Sequence, residues 1–135
     1  MNKPRILLVD DDENFLDFFV PMASTHNVEV TPLKSPKKVF NIIGKESVDL
    51  IISDIQMPEM SGMELFAALQ NLNCDIPVIL ITAFGSTEQA IQAVKQGAFH
   101  YFEKPIFDKL DLFWTTVREA LEKRKMQKEI AALQQ

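Results

Sequence analysis

Short apolar runs alternate with helix-period segments five times along the chain, and this alternation restricts the possible folds more than any other feature. Ile6–Val9 reads as a short buried strand running into Asp10, Asp11 and Asp12. Glu13–Ser24 follows as a helix with Phe15, Leu16, Phe18 and Phe19 turned inward. Pro21 lies inside that pattern and predicts a kink or an early end, because proline lacks the amide that the helix ladder needs. Val28–Thr31 reads as a second strand, and Ser35-Pro36 as an N-cap with proline at the first position of a helix stopped by Gly44. Val48–Ser53 is apolar on both faces, as a central parallel strand must be. Met57-Pro58 and Ser61-Gly62 mark a loop before a helix over Met63–Gln70, with Gly62 suited to a positive φ. Pro77–Thr82 is a fourth strand, and Ser86 followed by Gln89 predicts a capping box for a helix closed by Gly97. Ala98–Glu103 is a fifth strand, and Asp108 caps a final helix that runs to the end. Such alternation predicts an α/β domain: a parallel sheet covered by helices on both faces.

A length of 135 residues suits one domain with a single sizeable core. With 47% hydrophobic and 24% charged residues, the chain is neither disordered nor a disulfide scaffold. No run of about 18 apolar residues exists to span a membrane. The short stretch Ile6–Val9, running straight into acids, is not expected to be a signal peptide. The lone Cys74 cannot form an internal disulfide, which fits a reducing cytoplasm. Net charge is −5, but residues 1–112 hold 9 basic against 16 acidic side chains, and residues 113–135 hold 5 against 3. An acidic body argues against direct nucleic-acid binding, which depends on Lys and Arg neutralising phosphates. The basic excess of the tail reads as a solvated helix face.

In an open parallel sheet the ligand crevice lies outside the carboxyl ends of the strands. The first strand ends there in Asp10, Asp11 and Asp12, the third in Ser53-Asp54, the fourth in Thr82-Ala83 and the fifth in Lys104-Pro105. Crowded carboxylates call for a hard cation with oxygen ligands, and magnesium fits best, since it takes one or two carboxylates and completes its shell with water and phosphate oxygens. A lysine and a hydroxyl on the same rim form a natural clamp for a phosphoryl group.

LLVDDDENF, SDIQMPEMSG, ITAFGS and GAFHYFEKPI resemble the four signature segments of the response-regulator receiver domain of bacterial two-component signalling, over about residues 4–122. The resemblance implies a flavodoxin-like (βα)5 fold with a doubly wound five-stranded sheet. It also implies that Asp54 accepts a phosphoryl group from a phosphohistidine of a sensor histidine kinase. Asp11 is then the direct ligand of Mg2+, Asp10 orients or ligates through a water, Asp54 joins the shell, and the backbone carbonyl of Gln56 completes it. Thr82 resembles the switch hydroxyl, Ala83 the small residue beside it, Lys104 the lysine that pairs with Asp54 or its phosphate, and Tyr101 the switch aromatic. The Lys104–Pro105 bond is expected to be cis on the same ground. Asp12, Pro58, Gly62, His26, His100 and Cys74 are read as structure or surface, and the Met and Phe residues as core. Departures from the family are Pro21 and Ile106, the latter standing where Phe usually follows Lys-Pro.

A second reading belongs to a different class: a haloacid-dehalogenase-type phosphatase with Asp10 as nucleophile, since Asp10 and Asp12 have its Asp-x-Asp spacing. Glu13 and Asn14 replace the Gly-Thr that normally follows, and the chain leaves no room for a cap domain. TAFGS and FEKP look most like receivers of nitrogen-regulator or dicarboxylate-regulator type transcription activators, which carry an ATPase and a DNA-binding domain downstream. The resemblance therefore sets the receiver at 1–122 and the start of a helical linker to an output domain at 123–135. A helix from Lys109 to Gln135 would reach about 40 Å. Leu110, Phe113, Val117 and Leu121 face the core, while Met126, Ile130 and Leu133 continue an apolar stripe beyond it. That stripe predicts a homodimer through the 86–133 face. No Walker loop, metal-finger spacing or helix-turn-helix is present.

Overall fold

A computed structural model of the chain describes residues 3–83 and 87–134. Its elements in chain order are β1 (Arg5–Val9), α1 (Glu13–Ser24), β2 (Glu29–Leu33), α2 (Lys37–Ile43), β3 (Leu50–Asp54), α3 (Gly62–Asn71), β4 (Val78–Thr82), α4 (Thr87–Lys95), β5 (His100–Glu103), a 3-10 turn (Phe107–Lys109) and α5 (Leu110–Leu133). The strands pair in parallel in the order β2-β1-β3-β4-β5, the flavodoxin-like arrangement that the resemblance implies. The switch point lies between β1 and β3, the place where open parallel sheets of this order bind their ligands.

Strand side chains alternate between two cores. Ile6, Leu8, Leu50, Ile52, Ile79 and Ile81 meet Phe19 of α1 and Phe113, Trp114 and Val117 of α5 on one face. Leu7, Val9, Ile51 and Leu80 meet Val39, Leu65, Phe66, Leu69, Ala90 and Ala93 of the three other helices on the opposite face. With both faces covered, the central strands β3 and β4 are buried throughout, which is why they read as continuous apolar runs.

Several local expectations are corrected. Helix α1 continues through Pro21 to Ser24, because Phe19 and Ala23, buried on either side of it, anchor the last turn. Phe18 lies outside the buried arc and is exposed. Strand β2 extends through Pro32 to Leu33, which is tolerated because β2 is an edge strand. Strand β3 starts two residues later than expected and takes in Asp54. Ser35 makes no side-chain cap for α2, and Gly44 ends that helix with right-handed backbone. Asp108 lies in the 3-10 turn and does not cap α5. The predicted Ser86 capping box lies outside the described residues.

Gly62 is also not where a positive φ is needed; it opens α3. A Cβ there would collide with the Asp54 carbonyl oxygen and come within 2.9 Å of Ile55 Cα, so glycine permits α3 to abut the end of β3. The Gly62 amide donates to the Ile55 carbonyl at 2.7 Å. Ser61 and Glu64 form a reciprocal capping box at the same point. The loop after Asp54 is thus closed by backbone contact.

Helix α5 has 24 residues, about 36 Å at 1.5 Å per residue. Leu110 and Leu121 pack at the edge of the core, and Phe113 and Val117 within it. Further along, Arg124 pairs with Asp75 at 2.7 Å, and Lys128 with Asp49 at 2.5 Å. Met126 and Ile130 are 54% exposed and Leu133 85%, so the predicted stripe is uncovered. Among the described residues no helix is long and apolar enough to cross a membrane.

Candidate functional site

Parallel strands deliver Asp10, Asp54, Thr82 and Lys104 to one rim. Asp10 directly follows β1, and its amide donates to the Leu33 carbonyl at 2.9 Å, extending the ladder with β2 by one step. Asp10 is only 1% exposed, and both its oxygens are engaged. Oδ1 accepts the Asp12 amide at 2.9 Å, and Oδ2 accepts from the Lys104 ammonium at 2.8 Å. Asp12 caps α1, its Oδ1 accepting the Asn14 amide at 3.0 Å, so its role is structural, as read.

Asp54 ends β3 and is 6% exposed. Its Oδ1 accepts the Gln56 amide at 3.2 Å and its Oδ2 lies 3.4 Å from Lys104 Nζ. The Gln56 carbonyl, expected in the metal shell, belongs to the turn that folds this amide back onto Asp54. Asp11 projects from the loop and is exposed. Oxygens of Asp10, Asp11 and Asp54 all lie within 4.8 Å of one another, and among the described residues no other three ligating side chains come together in this way. His26 and His100 are exposed, His26 stacked on Trp114 at 3.8 Å.

Thr82 ends β4, fully buried, opposite Glu103. Its hydroxyl donates to the neighbouring Ala83 carbonyl at 2.9 Å, a local bond to the next residue. The Lys104 amide donates to the Thr82 carbonyl at 2.9 Å, tying the lysine to the strand end. The Lys104–Pro105 bond is cis, as the resemblance implies. Tyr101 on β5 is half-buried against the core cluster that includes Ala90 and Ala93 of α4.

The electrostatics are those of an undercompensated anionic site. Burial pushes the Asp54 carboxyl above its usual range, and the charge of Asp10 adds to this. Lys104 and the Gln56 amide act in the opposite direction without cancelling it. Burial acts to lower Lys104, but its bond to Asp10 and the charges of Asp10 and Asp54 hold it above an ordinary lysine. The acids suit a small hard cation: octahedral ligands about 2.0–2.1 Å from magnesium stand about 3–4 Å apart, and the three carboxylate oxygens lie within 4.8 Å of one another. One cation between Asp11 and Asp54 would supply the charge that one lysine leaves unbalanced.

Two features escaped the sequence. The Asp10–Lys104 pair joins residues 94 positions apart and has no local signature. Phe15, read as core, places its ring 4.6 Å from Lys104 Nζ. Asp12 as an N-cap was legible, since an Asp directly before an amphipathic helix is such a signal.

Residues 6–118 match the response regulator receiver domain family. The chain belongs to that family. It is a receiver domain of two-component signalling, similar to those of transcriptional regulators. It is 38% identical over 122 residues to the transcriptional regulatory protein GlrR of Escherichia coli, covering 90% of this chain and 27% of that protein. It is 34% identical over 122 residues to the C4-dicarboxylate transport transcriptional regulatory protein DctD of Pseudomonas aeruginosa, covering 90% and 26%. The chain thus spans about a quarter of the length of these relatives. A receiver domain protein from Clostridium thermocellum superposes with a TM-score of 0.81 at 28% identity, covering 92% of this receiver and 98% of that chain. The phosphatase reading finds no support in these matches. Asp10, its nucleophile, is buried with both oxygens bonded.

Proposed function

We propose that this receiver accepts a phosphoryl group on Asp54 from the phosphohistidine of a sensor histidine kinase, and acts as a switch rather than a metabolic enzyme. One observation carries the assignment. Asp54 is the carboxylate buried at the centre of the strand-end rim, facing both an acid, Asp10, and the Lys104 ammonium. Asp11 and Asp54, with Asp10 and the Gln56 carbonyl, would hold Mg2+, which when bound neutralises charge on the phosphoryl oxygens. Asp54 supplies the attacking oxygen. Lys104 offers its ammonium to the incoming phosphoryl oxygens, and Asp10 keeps that ammonium on the rim. The Thr82 hydroxyl turns from the Ala83 carbonyl to an oxygen of the acyl phosphate, and Tyr101 follows into the space vacated beside β5.

The movement would reshape the surface of α4, β5 and α5, which is continuous with Met126, Ile130 and Leu133. We read the 86–133 face as a homodimer surface and residues 123–135 as the beginning of a helical linker. In the full-length protein the linker would lead to ATPase and DNA-binding output domains of a transcription activator in the bacterial cytoplasm. The test is to incubate the protein with magnesium and acetyl phosphate. One acid-stable, base-labile phosphoryl group should map to Asp54 and be absent from Asp54→Asn. Labelling of another residue, or retention of the label in that variant, overturns the assignment.

A further inference from the structure

Lys104 has a third neighbour besides Asp10 and Asp54. Its Nζ lies 4.6 Å from the centroid of the Phe15 ring, within the distance at which a ring face attracts a cation. We propose that Phe15 is a positioning residue for phosphoryl acceptance: the face of its ring holds the Lys104 ammonium over the Asp10–Asp54 rim. The proposal rests on the assignment of Asp54 as phosphoacceptor.

The ring is fixed by the same residues that build the acidic loop. Asp10 Oδ1 holds the Asp12 amide, Asp12 caps α1, and the Phe15 amide donates to the Asp12 carbonyl at 3.1 Å. Phe18 and Phe19 flank the ring at centroid distances of 6.4 and 6.0 Å. Lysine carries its charge on a flexible four-carbon stem, and the contacts to the two carboxylates, at 2.8 and 3.4 Å, are unequal. Without the ring, the ammonium could swing toward water between turnovers. The ring limits this and sheds water from one flank of the nitrogen, which strengthens its interaction with the acids. A third carboxylate in the same place would hold lysine more firmly but would repel the incoming phosphoryl group. A neutral ring face attracts the cation without that full charge. The ammonium is thereby preorganised at the point where negative charge arrives.

In the step concerned, an Asp54 oxygen forms a bond to phosphorus of acetyl phosphate. The phosphorus–oxygen bond to the acetyl group breaks, and its electron pair leaves on acetate. The test replaces Phe15 by 4-fluoro- and 3,4,5-trifluorophenylalanine, which drain charge from the ring face with little change of shape, and also by Trp and Leu. Rates of Asp54 labelling by acetyl phosphate should fall stepwise with fluorination, by about 3–10-fold in total. Trp should retain the rate, Leu should lower it, and fluorination should have no effect in Lys104→Met. A rate indifferent to fluorination, while Lys104→Met slows labelling, overturns the role of Phe15 and leaves Asp54 standing. If Lys104→Met labels as fast as the parent, lysine positioning is irrelevant and the proposal falls. If the parent is not labelled at Asp54, both readings fall.

Discussion

Lys104 is held more tightly by Asp10 than by Asp54, at 2.8 Å against 3.4 Å, although Asp54 is the proposed acceptor. The lysine thus has a fixed partner in Asp10, and its longer contact with Asp54 is the one that an incoming phosphoryl group can replace. Removing the cation leaves Asp10 buried beside a second carboxylate. Lys104→Met should therefore destabilise the metal-free protein by about 1.5–3 kcal/mol, the worth of hydrogen bonds to a charged group. Saturating magnesium should recover part of the loss. Urea unfolding with EDTA and with magnesium measures both quantities.

Asp54→Asn should act in the opposite direction. The folded state raises the Asp54 carboxyl above its unfolded value, chiefly through burial and then through Asp10. In the window between those values the native protein binds more protons than the unfolded chain, so stability falls as pH rises through it. The stabilising contribution is complete below the unfolded value and is lost above the folded one. In EDTA, Asp54→Asn should gain about 0.5–2 kcal/mol at neutral pH and little at about pH 4. Thermal melts across that range should show the two curves converging in acid.

Magnesium should need Asp11. Loss of an outer-shell partner commonly costs about 10–100-fold in metal affinity, and loss of a direct ligand should cost at least the upper figure. Asp11→Ala, at an exposed position, should keep the fold while weakening magnesium binding to that extent in titration calorimetry. Undiminished affinity would remove Asp11 from the metal shell.

Gly62→Ala should disturb the site through packing alone. Its Cβ would meet the backbone of Asp54 and Ile55, neither of which can yield as a side-chain end would. A loss of about 1–3 kcal/mol is expected, the usual cost of overfilling a packed site. Ser61→Ala removes only the cap and should cost about 1 kcal/mol. Urea midpoints for the two variants, together with their rates of labelling by acetyl phosphate, separate strain at Asp54 from lost helix stability.

Thr82→Ala should still accept phosphate on Asp54 but lose most of the accompanying change in association. Moving a switch from mostly off to mostly on takes up to about 5.5 kcal/mol, and a few charge-assisted bonds of about 1.5–3 kcal/mol each could supply it. Sedimentation of parent and variant, each with and without phosphorylation, compares the two shifts. A variant that associates on phosphorylation as the parent does would exclude coupling through Thr82 and Tyr101.

The alternation of strands and helices by itself determined the sheet, because runs such as Leu50–Ile52 and Val78–Ile81 have no polar face to leave in water and must be covered on both sides. Once those strands are parallel, Asp10, Asp54, Thr82 and Lys104 must gather at their carboxyl ends, so the rim followed from local pattern. Tertiary contact alone decided what each group faces there. A period of 3.6 residues puts Phe15, Phe18 and Phe19 on one broad arc, but packing against the sheet and α5 buries Phe19, while Phe18 stays exposed and Phe15 lies beside Lys104. Pro21 and Pro32 look like breaks until Ala23 is anchored and β2 is placed at the edge. Gly62 resembles a turn glycine until α3 is laid against Asp54. Periodicity reports which way a side chain points, whereas the partner waiting there, as Asp10 waits for Lys104 across 94 positions, comes from a distant part of the chain.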